Sequence, residues 1–487
     1  MTAVVSRVPI VEGRDVTARW WHDRALVALL ALFAVVLPFV THRIYASDEI
    51  QYFAYTHSLF FDRDLDFGNE YMHFYASNPD KFRAIYTDLY LKRESLTQLP
   101  INVAPIGTGL FWLPAYAVAH LLVSLADSLG ANIPADGYSQ PYITAICLTS
   151  YLLGCAGLLL CYFMSRRLFG RRVSAAGVVL TWLATPVVFY TVVAPPWSHA
   201  TSLFTVTLFL WYWLRTRKEA GREWREWREW LLLGLCAGLM MLVREQDALF
   251  LVVPGLEVAV HLVVQWRKNG VGDRNAIMRP IAGLLLMGVT AAIVFIPQLI
   301  AYRVITGQFG PSKVVASKFT WTSPNALNVL FSPEHGLIPW TPIVVVALAG
   351  LAFLWQRDRL LTAALALAFF VQVYVAGSFL TWQSAGSFGQ RRFINSTSIF
   401  VLGLVALLSW LLARGVPRWA LGTLAALFVA WNGGLLIQYA LWTSQQRQGL
   451  DWATVLQGQL EMPTKVVRLL WTYITDREQF YRDTGPR

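Results

Sequence analysis

Two carboxylates stand side by side, Asp48 and Glu49, a few residues beyond the uncharged run ALVALLALFAVVLPFV (25–40). An acid at the end of a rigid apolar element is half shielded from water. With a like charge beside it, its pKa rises towards the range in which a general base works. The same residues also read as a helix start. Ser47 and Asp48 precede IQYFAYTHSLFF, and an acid there caps free backbone N–H groups. The residues alone leave both readings open.

Four basic spots are candidates for anion binding: Lys92/Arg93, Arg244 in LVREQD, Lys313/Lys318, and Arg391/Arg392 in WQSAGSFGQRRF. Cations at a membrane edge suit a lipid phosphate or pyrophosphate, which arginine grips through two N–H groups at once. A single arginine there also snorkels to headgroups, so the convergence of several is what matters. His199 in APPWSHA and His335 in FSPEHGLIPWTP can bind metal, phosphate or an acceptor hydroxyl, or serve as hydrogen-bonded structural groups. DRDLDFGNE, from Asp62, starts like a calcium loop. Such a loop needs glycine at its sixth position and glutamate at its twelfth, which here are Phe67 and His73. The calcium-loop reading fails, and a solvated turn between two loop helices is expected instead. There is no HExxH, Walker loop, GxSxG or GxGxxG opening a helix, so ATP-driven and serine-hydrolase chemistry have no support.

The elements that would position these residues are apolar helices. The chain has 487 residues, 56% hydrophobic and 14% charged, with mean hydropathy +0.47. Soluble domains carry about 25% charged residues. An all-α polytopic membrane protein with about 11 spans is expected. The spans fall near 25–45, 141–164, 173–193, 197–214, 229–244, 248–266, 280–303, 340–356, 360–377, 394–413 and 418–441. Residues 1–24 form a short cytoplasmic N-terminus. No small-x-small cleavage site follows the first apolar run, Ile44 standing three before Ala46, so that span is expected to stay uncleaved.

With the N-terminus inside, every basic cluster between spans falls in the cytoplasm: Arg19/Arg24, SRRLFGRR, Arg215–Lys218, Arg267–Arg279, Arg357/Arg359 and Arg414/Arg418. The net charge of +11 follows from these loops, and no nucleic-acid-binding signature stands out. A full crossing by the apolar segment 105–126 would invert the later loops. It is therefore expected as a helix lying in or dipping into the outer leaflet, inside a first external loop of 46–140. A second large external loop covers 304–339, and a polar, amphipathic external tail covers 442–487. GREWREWREW places Trp224, Trp227 and Trp230 on one helix face and reads as an interfacial anchor. Cys147, Cys155, Cys161 and Cys236 all lie in apolar runs, so no disulfide is expected.

In order along most of the chain, the motifs resemble the GT-C integral-membrane glycosyltransferases, which include protein O-mannosyltransferases and lipid A aminoarabinose transferases. SDEIQYFAYTHSLFFDRDLDFGNEY is similar to the opening of bacterial members. NVAPIGTGLFWLPAY is similar to their outer-leaflet helix and YFMSRRLFGRR to the end of their second span. FSPEHGLIPWTP and WQSAGSFGQRRF are similar to two later external motifs. The resemblance implies a sugar carried on polyprenyl phosphate and transferred, with inversion, to a glycan, lipid or protein acceptor outside the cytoplasm of the bacterial inner membrane.

Asp48 matches the family's base, with Glu49 its neighbour, and Arg391 matches a late phosphate contact. Arg392, Arg244, Lys92 and Arg93 are the further donor-phosphate candidates; His199, His335, Asn102 and Tyr52 are the acceptor or donor contacts. Two departures stand out. Asn102-Val103-Ala104-Pro105 lacks the basic residue that aminoarabinose transferases carry there, and Ser198-His199 stands where many members have a second acid. The latter leaves dependence on a divalent metal open. Rival readings are an oligosaccharide ligase or polymerase using pyrophosphate-linked glycans, and a lipid-linked-sugar flippase or transporter. The transporter would rely on a mid-span acid such as Glu257.

Overall fold

The computed structural model describes residues 22–217, 224–269, 274–322, 324–384, 386–441, 450–476 and 479. Arg19, Lys218 and the last residues of the tail, 480–487, lie outside them. The described residues are helical and form no strand, only two isolated bridges. In chain order the helices are α1 (Arg24–Val36), α2 (Ser47–His57), α3 (Gly68–Ser77), α4 (Gly107–Ser128), α5 (Gln140–Leu168) and α6 (Arg171–Leu183). Next come α7 (Ser198–Thr216), α8 (Trp227–Val243), α9 (Val252–Asn269) and α10 (Arg274–Thr306). Three short turns, α11 (Lys313–Ala316), α12 (Ala326–Phe331) and α13 (Leu337–Trp340), lead to α14 (Ile343–Leu354) and α15 (Arg359–Gly377). The chain closes with α16 (Thr397–Ala413), α17 (Arg418–Leu441) and α18 (Trp452–Thr475).

Among the described residues, seven helices are long and apolar enough to cross a membrane: α4, α5, α9, α10, α15, α16 and α17, with α9 and α16 extended by the turns before them. α1 and α14 are shorter apolar helices. The eleven spans expected from sequence are therefore not matched one for one. α6, α7 and α8 are absent from the seven, and α4 is among them. Many outward side chains of these helices are apolar and exposed, Leu285, Ile293 and Phe370 among them, as lipid contact requires. The protein is an integral membrane protein.

The two ends of the bundle differ in chemistry. At one end Asp23 caps α1, accepting from Leu26 N at 3.3 Å, and also accepts from Tyr162 Oη and Arg166 Nη1 on α5, both at 2.8 Å. Arg225 lies buried at the head of α8 and donates to Glu257 of α9 at 2.7 Å, where Trp213 Nε1 also donates at 2.7 Å. This corrects the interfacial reading of GREWREWREW. Trp227 is half exposed, but Arg225 is fully buried, where its guanidinium neutralises Glu257, and Trp230 is fully buried beneath that guanidinium, 5.2 Å from the ring centroid.

At the opposite end lie α2, α3 and the segments before α7, α9 and α16. Gln140, heading α5, donates to His42 O just beyond α1 at 2.8 Å. Tyr116 of α4 donates to Gly137 O at 2.9 Å, and His120 lies 2.7 Å from the Tyr142 hydroxyl. The start of α4 backs onto the end of α8, where a Cβ on Gly107 would come within 2.3 Å of Leu242 O, so only glycine fits. The contacts of α4 thus hold its start and middle at the end of the bundle where α1 finishes and α5 begins. Deeper in the bundle, α14 and α16 touch through backbone: a Cβ on Gly350 would lie 2.0 Å from Gly403 O. That contact anchors α16, whose leading turn carries Arg391 and Arg392. α18 packs on α17 through Gln459 and Gln438 and leaves Leu460, Val467 and Trp471 exposed.

Candidate active site

Asp48 and Glu49 occupy the first turn of α2 and face different surroundings. Glu49 is fully buried. Its Oε2 accepts from the backbone N–H of Tyr45 at 2.8 Å and of Ala46 at 2.9 Å, which are free donors at the helix start. Burial pushes its carboxyl up to about 7, against the opposing pull of those hydrogen bonds and with a smaller push from the Asp48 charge. The Asp48 side chain is about a third exposed, and its Oδ2 accepts from Arg391 Nη1 at 2.8 Å. The two sequence readings of this pair are thus divided between its members: Glu49 caps, and Asp48 presents its carboxylate.

Arg391 lies over the Trp197 ring, 4.3 Å from its centroid, which fixes the guanidinium by a cation–π contact. The Trp197 ring stacks with His199 at 5.7 Å. His199 Nδ1 lies 2.6 Å from Arg244 Nη1. A guanidinium only donates, so Nδ1 accepts and the imidazole is neutral with its proton on Nε2. The Arg244, Arg391 and Arg392 charges all reach that imidazole. Tyr52, one turn along α2 from Asp48, donates from its hydroxyl to Ser198 Oγ at 2.9 Å. Burial raises its pKa, the Asp48 charge adding to the effect. Arg392 donates to Thr381 O at 3.0 Å and lies over Phe379, while its buried Nε meets no acceptor among the described residues. One carboxylate, three guanidiniums, a neutral imidazole and a tyrosine therefore share one patch, drawn from α2, α7, the end of α8 and the turn before α16.

Other predicted residues sit apart from it. Lys92 pairs with Asp88 at 2.9 Å, Arg93 lies over Tyr90, and both are exposed. Asn102 is buried with its amide committed to backbone, donating to Gln51 O and accepting from Ala104 N. His335 is buried against Trp340, and its carbonyl accepts from Gln390, the neighbour of Arg391. Its place is therefore in the support of Arg391.

Sequence reasoning missed Trp197, which read only as the edge of a span, and noted Ser198 only as standing, with His199, where many family members have a second acid; the Pro-Pro-Trp-Ser-His order was the available signal. It also passed over Asp247, buried beneath the patch and bonded to Ser202 and to Asn395 Nδ2 at 2.8 Å. A groove of about 510 Å³ between α1, α6 and α17 is lined by residues such as Leu29, Ala175 and Ala425, and no titratable group faces it. Among the described residues the only three close metal-ligating side chains are His57, Asp62 and Glu70, none of them in the Asp48 patch.

Residues 140–301 match the family model described as dolichyl-phosphate-mannose-protein mannosyltransferase. No curated protein matches the chain significantly in sequence. Two crystal structures of ArnT from Cupriavidus metallidurans are similar in fold at 16% identity, one bound to undecaprenyl phosphate and one in the apo state. Their TM-scores are 0.54 and 0.52; each covers 95% of this chain, which spans 72% and 73% of theirs. The all-helical membrane architecture and these likenesses agree with the motif order read from the sequence, and the chain has the fold of the GT-C integral-membrane glycosyltransferases.

Proposed function

We propose that the protein transfers a sugar from a polyprenyl-phosphate donor to an acceptor hydroxyl, with inversion, and that Asp48 is the general base. The Asp48–Arg391 pair carries the reading: an accessible carboxylate 2.8 Å from a guanidinium that stacking holds in place. The base takes the acceptor's proton as its oxygen attacks the anomeric carbon, and the C–O bond to phosphate breaks with the electron pair leaving on phosphate. Arg391, with Arg244 and Arg392, neutralises that leaving phosphate. Before the donor binds, Arg391 is held by Asp48. A donor phosphate competes for the guanidinium and releases the carboxylate, so the base is freed where the donor sits. Glu49 is a positioning residue that holds the start of α2.

The likeness to an ArnT bound to undecaprenyl phosphate supports a polyprenyl-phosphate partner. We infer from the positive-inside rule that the end carrying Asp23, Arg166 and Arg225 faces the cytoplasm and that the Asp48 patch lies on the extracytoplasmic face of the bacterial inner membrane.

The test uses reconstituted protein with a lipid extract holding polyprenyl-phosphate sugars. Release of polyprenyl phosphate is followed by mass spectrometry. Wild type releases it in the presence of acceptor extract, and Asp48→Asn releases it about 10²–10⁴-fold more slowly. Undecaprenyl phosphate binding provides the second readout. Arg391→Ala weakens it, whereas binding unchanged in that variant would remove the phosphate role.

A further inference from the structure

The distal end of α2 carries a second cluster. His57 is buried in the last turn, Asp62 closes the turn that follows, and Glu70 is buried in the first turn of α3. His57 Nδ1 lies 2.9 Å from Glu70 Oε1 and 3.6 Å from Asp62 Oδ2, and the three ligand atoms all fall within 4.8 Å of one another. The imidazole's other nitrogen, Nε2, lies 3.1 Å from Asp136 O. A carbonyl oxygen only accepts, so Nε2 carries the ring proton. In the neutral ring, Nδ1 then points a lone pair at carboxylate oxygens, with the Tyr138 hydroxyl at 3.5 Å. Lone pair facing lone pair is repulsive, so the arrangement requires a cation between them. Glu70 adds a second sign: it is fully buried and its Oε2 meets no donor among the described residues.

We propose that His57 Nδ1, Asp62 and Glu70 hold a divalent transition-metal ion of zinc's chemistry, in a structural site separate from the Asp48 patch. One imidazole and two carboxylates suit zinc rather than calcium or magnesium, which prefer all-oxygen shells. Tetrahedral zinc with bonds of about 2.0–2.2 Å sets its ligand atoms about 3.3–3.6 Å apart, a spacing that the observed 2.9 and 3.6 Å bracket. The surroundings fit as well. A metal-bound histidine characteristically donates its other N–H to a backbone carbonyl, as His57 does to Asp136, and ligating carboxylates are themselves hydrogen-bonded, as Asp62 Oδ2 is by Asn69 at 2.9 Å. Stacking of His57 between Phe61 and Tyr138 fixes the ring plane. His57 lies nine residues along α2 from Asp48, about 13 Å at the helical rise, so the ion is remote from the transfer chemistry. It would clamp α2, the turn after it, α3 and the segment at Asp136 into one body.

The test is made on full-length purified protein stripped with chelator, desalted and given zinc sulfate, then desalted again for elemental analysis. Wild type retains one zinc per chain, and its melting temperature rises with zinc and not with magnesium. Glu70→Gln and His57→Ala lose the zinc. Should either fail to fold, Asp62→Asn, at a partly exposed position, is expected to bind zinc at least about tenfold more weakly. Asp48→Asn retains full zinc, which separates this site from the proposed base. Folded wild type that retains no zinc, or Asp62→Asn that binds it as wild type does, overturns the proposal and leaves a shared proton as the cation between His57 and Glu70.

Discussion

Two carboxylate–guanidinium pairs of nearly equal length have opposite surroundings. Arg225–Glu257 closes at 2.7 Å with the guanidinium 1% exposed, and both partners have further bonds: Trp213 Nε1 to the carboxylate, Thr216 Oγ1 and Trp213 O to the guanidinium. Arg391–Asp48 closes at 2.8 Å with its carboxylate 36% exposed and other cations beside it. A satisfied buried pair has nothing left to offer a ligand. An accessible pair with surplus positive charge keeps bonding capacity that, on the proposed reading, an arriving anion would use. The charge types are the same, and the unused bonding capacity separates structure from chemistry.

The strongest way to break this contrast is Asp48→Asn. With the fold intact, transfer is expected to fall about 10²–10⁴-fold, measured as polyprenyl phosphate released; near-normal turnover would put the chemistry elsewhere. Next comes the closed pair. Arg225→Ala strands a buried carboxylate and is expected to cost about 3–5 kcal/mol, read as a lower melting temperature in detergent. Glu257→Gln leaves the buried Arg225 guanidinium without its counter-charge and also lowers the melting temperature, while turnover per folded molecule stays at the wild-type level. Loss of function in that variant with Asp48→Asn active would favour transport instead. Arg391→Lys keeps the charge but loses the forked donor and the planar stack on Trp197. Weaker undecaprenyl phosphate binding, by about tenfold, is expected in titrations.

A smaller effect separates Glu49 from its neighbour. Its carboxyl is raised from 4.5 to about 7 by burial, so the folded protein holds a proton that the unfolded chain has lost between those values. Its contribution to stability therefore falls as pH rises from about 4.5 to about 7. Glu49→Gln flattens that part of the melting-temperature profile, and an unchanged slope would mean the burial of Glu49 is not felt. The smallest effect is expected from Lys92→Ala, an exposed residue paired only with a helix neighbour, with donor binding altered less than about twofold.

Much of this was legible in the residues. The apolar runs indicated a helical membrane protein, and the order of loose motifs indicated its fold. The Asp48 and Arg391 patches were both singled out, because acids and arginines at the edge of apolar runs are costly and so conspicuous. Which basic residues converge was not legible. Lys92 and Arg244 look alike in sequence, and only the packing of α8 against α7 brings Arg244 to His199. Asn102 looked like a ligand contact because a buried amide and a binding amide have the same letter. His57 escaped notice for a different reason. A calcium loop draws its oxygen ligands from alternate positions of one twelve-residue loop, whereas the groups beside Asp62, His57 and Glu70, lie five residues before and eight after it, across a turn. Trp197 was missed because an aromatic beside paired prolines is common at span edges.

The Asp48–Arg391 bond joins residues 343 positions apart. During synthesis the acid leaves the ribosome early and its arginine late. At about 5–20 residues per second, the interval is roughly 17–70 s. Through that time Asp48 has no Arg391, and the nascent chain has membrane helices but no assembled patch. A chain cut short just before Arg391 carries the helices up to α15 and lacks this ion pair. The pairing acts in effect as a completeness check on biogenesis, made only once about four-fifths of the 487 residues have been synthesised.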